Sequence, residues 1–405
     1  MAAVRYDSNH YVTRVLDSPL QLGAAQWNAL LAEHEAPSPF MRHEYLTAME
    51  RSGSATPATG WTPQFVTLWR DEVLEAACAL YLKDHSYGEY VFDWAWANAY
   101  EQHGLAYYPK ALIAAPFTPV PGARLLARDA TARQALLKAV LAWCSRRKLS
   151  SLHLLFAGVE DAAACAAAGL MLRHTVQFHW TNTVQRPDHG VGRWRDFDDF
   201  LASLAHEKRK KIRQERRKVA EAGVVFRWSQ GPDIRAADWD FFYRCYERTY
   251  YEHGNAPYLT RDFFRCVARD MPGNWLLFVA ERNGKAIAAS LIALGSQPMR
   301  DRSREEKVAY GRYWGALQRV DCLHFEACYY QPLQWCIEHG YDRFEGGAQG
   351  EHKMARALMP VKTTSAHWLA HPAFADAVER FLEREGQGIG NYLEHLERRN
   401  PFRQA

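Results

Sequence analysis

The run NWLLFVAERNGKAIAASLIAL, residues 274–294, constrains the fold more than any other stretch of this chain. Asn283-Gly284 separates two apolar runs and supplies the left-handed backbone of a two-residue turn, so the segment reads as an antiparallel hairpin. A third strand signal follows in VAYGRYW (308–314), then a helical pattern over 326–339, a strand YDRFEGG (341–347) running into glycines, a late strand TTSAHWLA (363–370) and a terminal helix over 372–398. The first half shows a similar order. QFVTLWR (64–70) and VLEAACALYLK (73–83) flank Asp71-Glu72 as a hairpin, a helical pattern covers 92–103, and the strand in ALIAAPFTPV must stop near Pro116, which lacks a ladder N–H. A helix over 129–147 and the strands LHLLF (152–156) and TVQFHWTN (175–182) complete it. Strands and helices alternating in both halves predict an α/β protein with mixed sheets.

At roughly 150 residues per domain, 405 residues accommodate two domains. Pro187, Gly190 and Gly192 mark the boundary, predicting an N-terminal domain over 1–187 and a C-terminal domain over 188–405. The eight cysteines form no CxxC pair, the N-terminus lacks a signal-peptide pattern, and no apolar run is long enough to span a bilayer. The expectation is a reduced, soluble, cytoplasmic protein without a transmembrane segment; oligomeric state is not legible. Gly295–Lys307, with four basic and three acidic residues and no apolar periodicity, reads as a solvated loop.

The net charge of +4 excludes a globally basic nucleic-acid binder, yet residues 206–219 alone carry eight basic residues against two acidic, a local balance of +6. This segment belongs to a predicted helix over 196–219, opened by an Asp-x-x-Asp capping pattern. Leu201, Leu204, Ala205, Ile212 and Val219 form a broken apolar stripe, and Lys208, Arg209, Lys211, Arg213, Arg216 and Arg217 lie around it. The helix reads as a solvated connector, as an anion-attracting surface for the phosphates of RNA, of a nucleotide-linked substrate or of coenzyme A, or as a membrane-surface segment.

Residues 310–356 hold the densest chemistry. Glu326, Tyr330, Leu333 and Ile337 fall on one helical face, which places a carboxylate at the end of an apolar stripe. Glu326 is either a proton acceptor in a cleft or a structural partner of Arg312, and Pro332 kinks the helix or sits in its first turn. Glu345 runs into Gly346, Gly347 and Gly350, where backbone N–H groups can meet an anion, but neither P-loop nor GxGxxG spacing is present. Glu345, Glu351 and His352 are further proton carriers, and Lys353 and Arg356, three apart, can face one phosphate or carboxylate. Tyr313, Tyr329 and Tyr330 line the cleft. No HExxH or Cys/His quartet exists, so no metal is expected.

The blocks SPFMRHEYLTAME, YYPKALIAAPFTPVPGARLL, KRKKIRQERR, PYLTRDFF, YGRYWG, LHFEACYYQPLQWCIEHG and FEGGAQGEHKMARALMPVKTTSAHW resemble a bacterial family of peptidoglycan-biosynthesis or GNAT-like N-acyltransferases, distantly similar to the Fem-type aminoacyltransferases. The resemblance implies two tandem GNAT-like domains with twisted mixed sheets. It implies transfer of an activated acyl or aminoacyl group to the amine of a small molecule, peptide or cell-wall-type precursor, assisted by a general base. Fem-type relatives use aminoacyl-tRNA and ordinary GNAT enzymes use acyl-coenzyme A, either being a possible co-substrate; no tightly bound cofactor is implied. The chain lacks an [RQ]xxGx[GA] pyrophosphate loop, its equivalent in the first half being PVPGAR (119–124), and it lacks the inserted coiled-coil hairpin of several Fem proteins. A non-catalytic module binding an anionic peptide, RNA or precursor, and an acyl-coenzyme A dependent small-molecule N-acyltransferase, are the alternatives.

Overall fold

The computed structural model describes residues 4–5, 11–186, 190–298, 304–348 and 350–403. The chain forms two compact units, one of residues 1–175 and 362–391, the other of residues 176–361 and 392–405. Both are mixed α/β.

In the first unit the hairpin Phe65–Arg70 and Val73–Cys78 pairs as expected, with Asp71 and Glu72 both at positive φ in the turn. Lys110–Ile113 runs antiparallel to Leu80–Lys83 and parallel to Ser151–Ala157, which in turn pairs antiparallel with residues 364–369. The helix Ala130–Arg146 covers this core with Leu136, Leu137 and Val140. A second interior feature is polar. The Lys110 ammonium, fully buried, binds Ser86 Oγ at 2.7 Å and Glu89 Oε2 at 2.8 Å and also pairs with Asp93. Tyr107 donates to Asp93 at 2.6 Å, so the lysine charge is neutralised on several sides, as a buried charge requires.

The second unit carries the site. Its sheet runs Val224–Gln230, Trp275–Arg282, Lys285–Pro298, Glu305–Ala316, Arg343–Ala348 and then residues 177–181 of the strand Met171–Thr181. The hairpin turns at Asn283 and Gly284, with φ of 52° and 71°, as the sequence predicts. Trp275–Ala280 is buried on both faces, which explains an apolar run without alternation. The helix Ala236–Glu252 lays Phe242 and Tyr246 against Tyr313 of the strand Glu305–Ala316. A Cβ on Gly315 would overlap the Cys245 carbonyl, so only glycine permits this approach. A further helix, Arg261–Asp270, has no counterpart in the sequence reading.

Three expectations are corrected. The helix predicted over 196–219 is two helices, Phe197–Ser203 and His206–Glu221. Asp196 caps the first by accepting from Asp199 N, but Leu204 and Ala205 are extended because Leu204 bridges to Phe402 and Ala205 N bonds to Pro401 O at 2.9 Å. Partners about 200 residues away break the helix, and no local pattern announces them. The segment Gly295–Lys307 is not simply a loop: Gly295 to Pro298 pair with Val308 to Glu305, and only 299–303 lie outside the described residues. The helix over 326–339 begins as a π-turn, Glu326–Tyr330, in which Gln331 N–H reaches back five residues to Glu326 O. Pro332 sits in the first turn of the α-helix Gln331–Glu338 that follows, so a missing N–H and a widened turn coincide.

One buried histidine makes the fold pH-sensitive. His34 Nε2 accepts the Ala127 N–H at 2.9 Å and therefore has to stay unprotonated; burial, with Arg133 nearby, lowers its pKa to about 4. As pH falls below 6.5 the unfolded chain takes up this proton first, so stability is lost between pH 6.5 and about 4. Thermal midpoints measured across that range should fall more steeply for the native chain than for His34→Gln, and parallel curves would remove His34 as a cause.

Candidate active site

The strands Glu305–Ala316 and Arg343–Ala348 pair in parallel over only three residues, Val308–Tyr310 against Arg343–Glu345. Beyond Tyr310 and Glu345 they carry no further pairing, and a cleft of about 150 Å³ opens there. Arg312, Tyr313 and Trp314 line it from one strand and Gly346 from the other; Ser290 forms part of its wall, and His324, Cys328 and Tyr329 come from the turn leading into the helix. Four predicted site residues, Arg312, Tyr313, Tyr329 and Gly346, thus converge. Ser290, Trp314, His324 and Cys328 were not assigned to this site from sequence. Ser290 had a signal, as a lone hydroxyl in an apolar strand: its Oγ donates to the Ala327 carbonyl at 2.7 Å, inside the π-turn.

Behind Tyr329 lies His352, whose Nε2 is 3.5 Å from the tyrosine hydroxyl. Desolvation, then the Arg356 and Lys353 cations, lower the His352 pKa, so its imidazole is neutral at pH 7. Burial raises the Tyr329 pKa, keeping its phenol protonated. The pair can pass a proton outward from the cleft.

The glycine turn is held from inside. Lys353 Nζ donates to the carbonyls of Gly346 at 2.7 Å, Gly347 at 3.3 Å and Ala348 at 2.8 Å. Burial draws its pKa down to about 8, yet three carbonyl acceptors suit an ammonium, and at neutral pH it carries the charge. Gly347 and Gly350 have φ of 73° and 90°, the left-handed region that glycine tolerates. Arg356 points elsewhere: Nη2 bonds to Glu215 Oε2 at 2.7 Å and Nη1 to His352 O at 2.7 Å, with the guanidinium 3.7 Å from the Phe325 ring centre. Lys353 and Arg356 therefore do not face a common anion, a correction to the spacing argument.

Glu215 is the residue the sequence reading missed. Buried, it accepts from both Arg356 and the Tyr330 hydroxyl, which fastens the basic helix to the π-turn and to the glycine turn. Its position three after Ile212 and four before Val219 puts it on the buried stripe, a signal masked by the charges around it. Tyr330 is thereby a structural partner of Glu215 and does not line the cleft.

The other candidates are dispersed. Glu326 pairs with Arg216, not with Arg312: its Oε1 accepts from Arg216 Nε at 3.1 Å and Gln331 Nε2 at 2.7 Å, and its Oε2 is buried without a hydrogen bond. It lines a different cavity, of about 620 Å³, together with Arg213, Arg216 and Arg217. Glu345 is buried against Arg343 at 3.2 Å, with His179 Nε2 at 3.9 Å. Glu351 is exposed, paired with Arg399 and bonded to Tyr392, which lower its pKa. On the basic helix Lys211, Arg213 and Arg217 are exposed, Lys208 and Arg209 half-buried, and Arg209 reaches the Ala202 carbonyl at 3.3 Å. In the first unit the PVPGAR turn has its own anion: Asp161 Oδ2 accepts from Arg124 N at 2.6 Å and Leu125 N at 3.1 Å, occupying donors that a pyrophosphate would need. Among the described residues no cluster of three or more His, Cys, Asp or Glu side chains converges as a metal site, and no helix is long and apolar enough to cross a membrane.

Residues 19–404 match the FemAB-like family, described as peptidoglycan biosynthesis/recognition. The chain belongs to this family of Fem-type acyltransferases. No curated protein sequence matches it. Among solved structures it shares its fold with FemX, at 11% identity over 88% of this chain and 98% of that one, with a TM-score of 0.52. It is similarly related to the C-terminal DUF2156 domain assigned to a lysylphosphatidylglycerol synthetase of Agrobacterium fabrum, at 10% identity over 88% and 94% with a TM-score of 0.51. L-PGS from Bacillus licheniformis matches at 11% identity over 89% and 97%, with a TM-score of 0.50.

Removing the Glu215 carboxylate leaves a buried guanidinium and phenol without their acceptor. Glu215→Ala should cost about 3–5 kcal/mol in urea unfolding, and Glu215→Gln less. A loss below about 1 kcal/mol for Glu215→Ala would mean that the helix is held chiefly by Ile212 and Val219.

Proposed function

We propose that the chain is an N-acyltransferase that moves an activated acyl or aminoacyl group onto an amine, in the cleft where the strands Glu305–Ala316 and Arg343–Ala348 separate. The parting of the strands after three paired residues carries this reading, because a cationic side chain, the rings of Tyr313, Trp314, Tyr329 and Phe344, and glycine backbone surround one small space. The match to a family described by peptidoglycan biosynthesis supports an acceptor amine on a peptide or cell-wall-type precursor. A parallel strand pair in each unit supports reading both as GNAT-like halves.

The chemistry needs a free amine, a polarised carbonyl and a route for one proton. The donor is an ester or thioester, so the amine nitrogen forms the new C–N bond, the C–O or C–S bond breaks with the released oxygen or sulfur taking up the proton that the amine gives up, and no covalent enzyme intermediate is required. Tyr329 hydrogen-bonds the attacking amine and relays its proton to neutral His352, which is the base that the geometry offers. Glu326, first by sequence spacing, lies in the other cavity and has no part in this route. Arg312 and the backbone at Gly346 meet the developing oxyanion or the donor's anionic group. Lys208, Arg209 and Lys211 favour a phosphate-bearing donor, whether aminoacyl-tRNA or acyl-coenzyme A, through a field that salt screens.

Single-turnover transfer to an amine acceptor, run in parallel with aminoacyl-tRNA and acyl-coenzyme A donors, tests the reading. Tyr329→Phe should lower the chemical step on the order of a hundredfold with donor affinity unchanged. The native rate should fall with acid as His352 takes up its proton, below pH 6.5, and His352→Gln should abolish that inflection. A Tyr329→Phe protein transferring at the native rate would exclude the relay.

A further inference from the structure

The cleft assigned to transfer also limits the acyl group it can hold, an inference that rests on that assignment. Its lining is largely apolar: Ile292 and Phe344, both buried, stand in it with Tyr313, Trp314 and Tyr329. Its volume of about 150 Å³ is that of a cavity able to take one benzene ring, about six non-hydrogen atoms. A long acyl chain is too large for it.

Charge narrows the choice further. Among the described residues no carboxylate lines the cleft, whereas Arg312 stands in the lining and the Lys353 ammonium is bonded to the Gly346 carbonyl at its edge. Glu345, one residue before Gly346, alternates to the other face of the strand and is paired with Arg343 at 3.2 Å. Aromatic faces can hold a cation, but those of Tyr313 and Tyr329 already meet the guanidinium groups of Arg312 and Arg356, at 5.1 and 5.9 Å from the ring centres. An aminoacyl ester carries an amino group on the carbon beside its carbonyl, largely protonated at pH 7, and would bring another cation into this space with no anion to meet it. The geometry points to a short, uncharged acyl group of at most about six non-hydrogen atoms, delivered as a thioester of the acyl-coenzyme A type and not as aminoacyl-tRNA. The same field favours the neutral form of the attacking amine, which is the form that transfer needs.

Isothermal titration, without an acceptor, of coenzyme A and of its butyryl, β-alanyl and octanoyl thioesters tests it. Butyryl and β-alanyl groups match in size and differ only in ending on a methyl or an ammonium. Butyryl-coenzyme A should bind about tenfold tighter than coenzyme A, and the other two no tighter than coenzyme A itself. Arg312→Gln should bring the β-alanyl thioester to within about threefold of the butyryl one. Ile292→Ala should admit the octanoyl chain. Where that core variant fails to fold, Cys328→Leu, at a half-buried position of the lining, narrows the cleft and should remove the butyryl advantage while coenzyme A binds as before. Equal binding of the butyryl and β-alanyl thioesters, octanoyl bound as tightly as butyryl, or no gain of butyryl over coenzyme A would each overturn the inference. Selective butyryl binding without transfer to any amine would remove the reaction and leave the acyl selectivity standing; transfer from aminoacyl-tRNA beside unselective thioester binding would do the reverse.

Discussion

One buried carboxylate holds the second unit's working parts in register. Glu215 lies on a helix that is otherwise a field of positive charge, and it accepts from Tyr330 of the π-turn and Arg356 after the glycine turn. Three segments far apart in sequence meet at one oxygen, Oε2 of Glu215. A buried charge is tolerated only when its neighbours satisfy it, so each partner fixes the others: Arg356 also holds the His352 carbonyl, which sets the imidazole behind Tyr329. The cleft beside Tyr329 and the cavity beside Glu326 both border the π-turn that this junction holds.

The relation between the two cavities follows from the π-turn. A regular α-helix would carry Glu326, Tyr330, Leu333 and Ile337 down one stripe, as their spacing suggests. The wider turn rotates the early residues out of that stripe, so Glu326 meets Arg216 while Tyr329 faces the parted strands. Proline at 332 has no N–H for the turn before it, and Ser290 supplies a hydrogen bond to the Ala327 carbonyl from the neighbouring strand. The disruption is compensated locally and costs little.

Much of the fold was legible in the chain. Asn283-Gly284 between apolar runs, the capping aspartate at 196 and the stop of the strand before Pro116 are local signals, and each appears where its chemistry demands. What escaped depended on distant partners. The break at Leu204 and Ala205 arises from residues 401–402, and the burial of Lys110 rests on Glu89 and Asp93, which no nearby pattern links to it. Within the site, the glycines and tyrosines were recognised from residue type, but the partition of Glu326 from Tyr329 was not, because periodicity assumes one helical pitch. Lys353 and Arg356 were grouped by spacing; in a 3₁₀ turn, residues three apart diverge once each finds a different buried partner.

Parted strands ordinarily leave carbonyls facing nothing, and such a gap tends to close or to recruit another chain's edge. Here the Lys353 ammonium takes the place of the missing neighbour along Gly346–Ala348. The glycine backbone at the opening is therefore held in place by the protein itself, without a ligand to order it. The free energy that a loose turn would spend on ordering itself is then left for contacts, so whatever the cleft holds is bound against a wall that is already built.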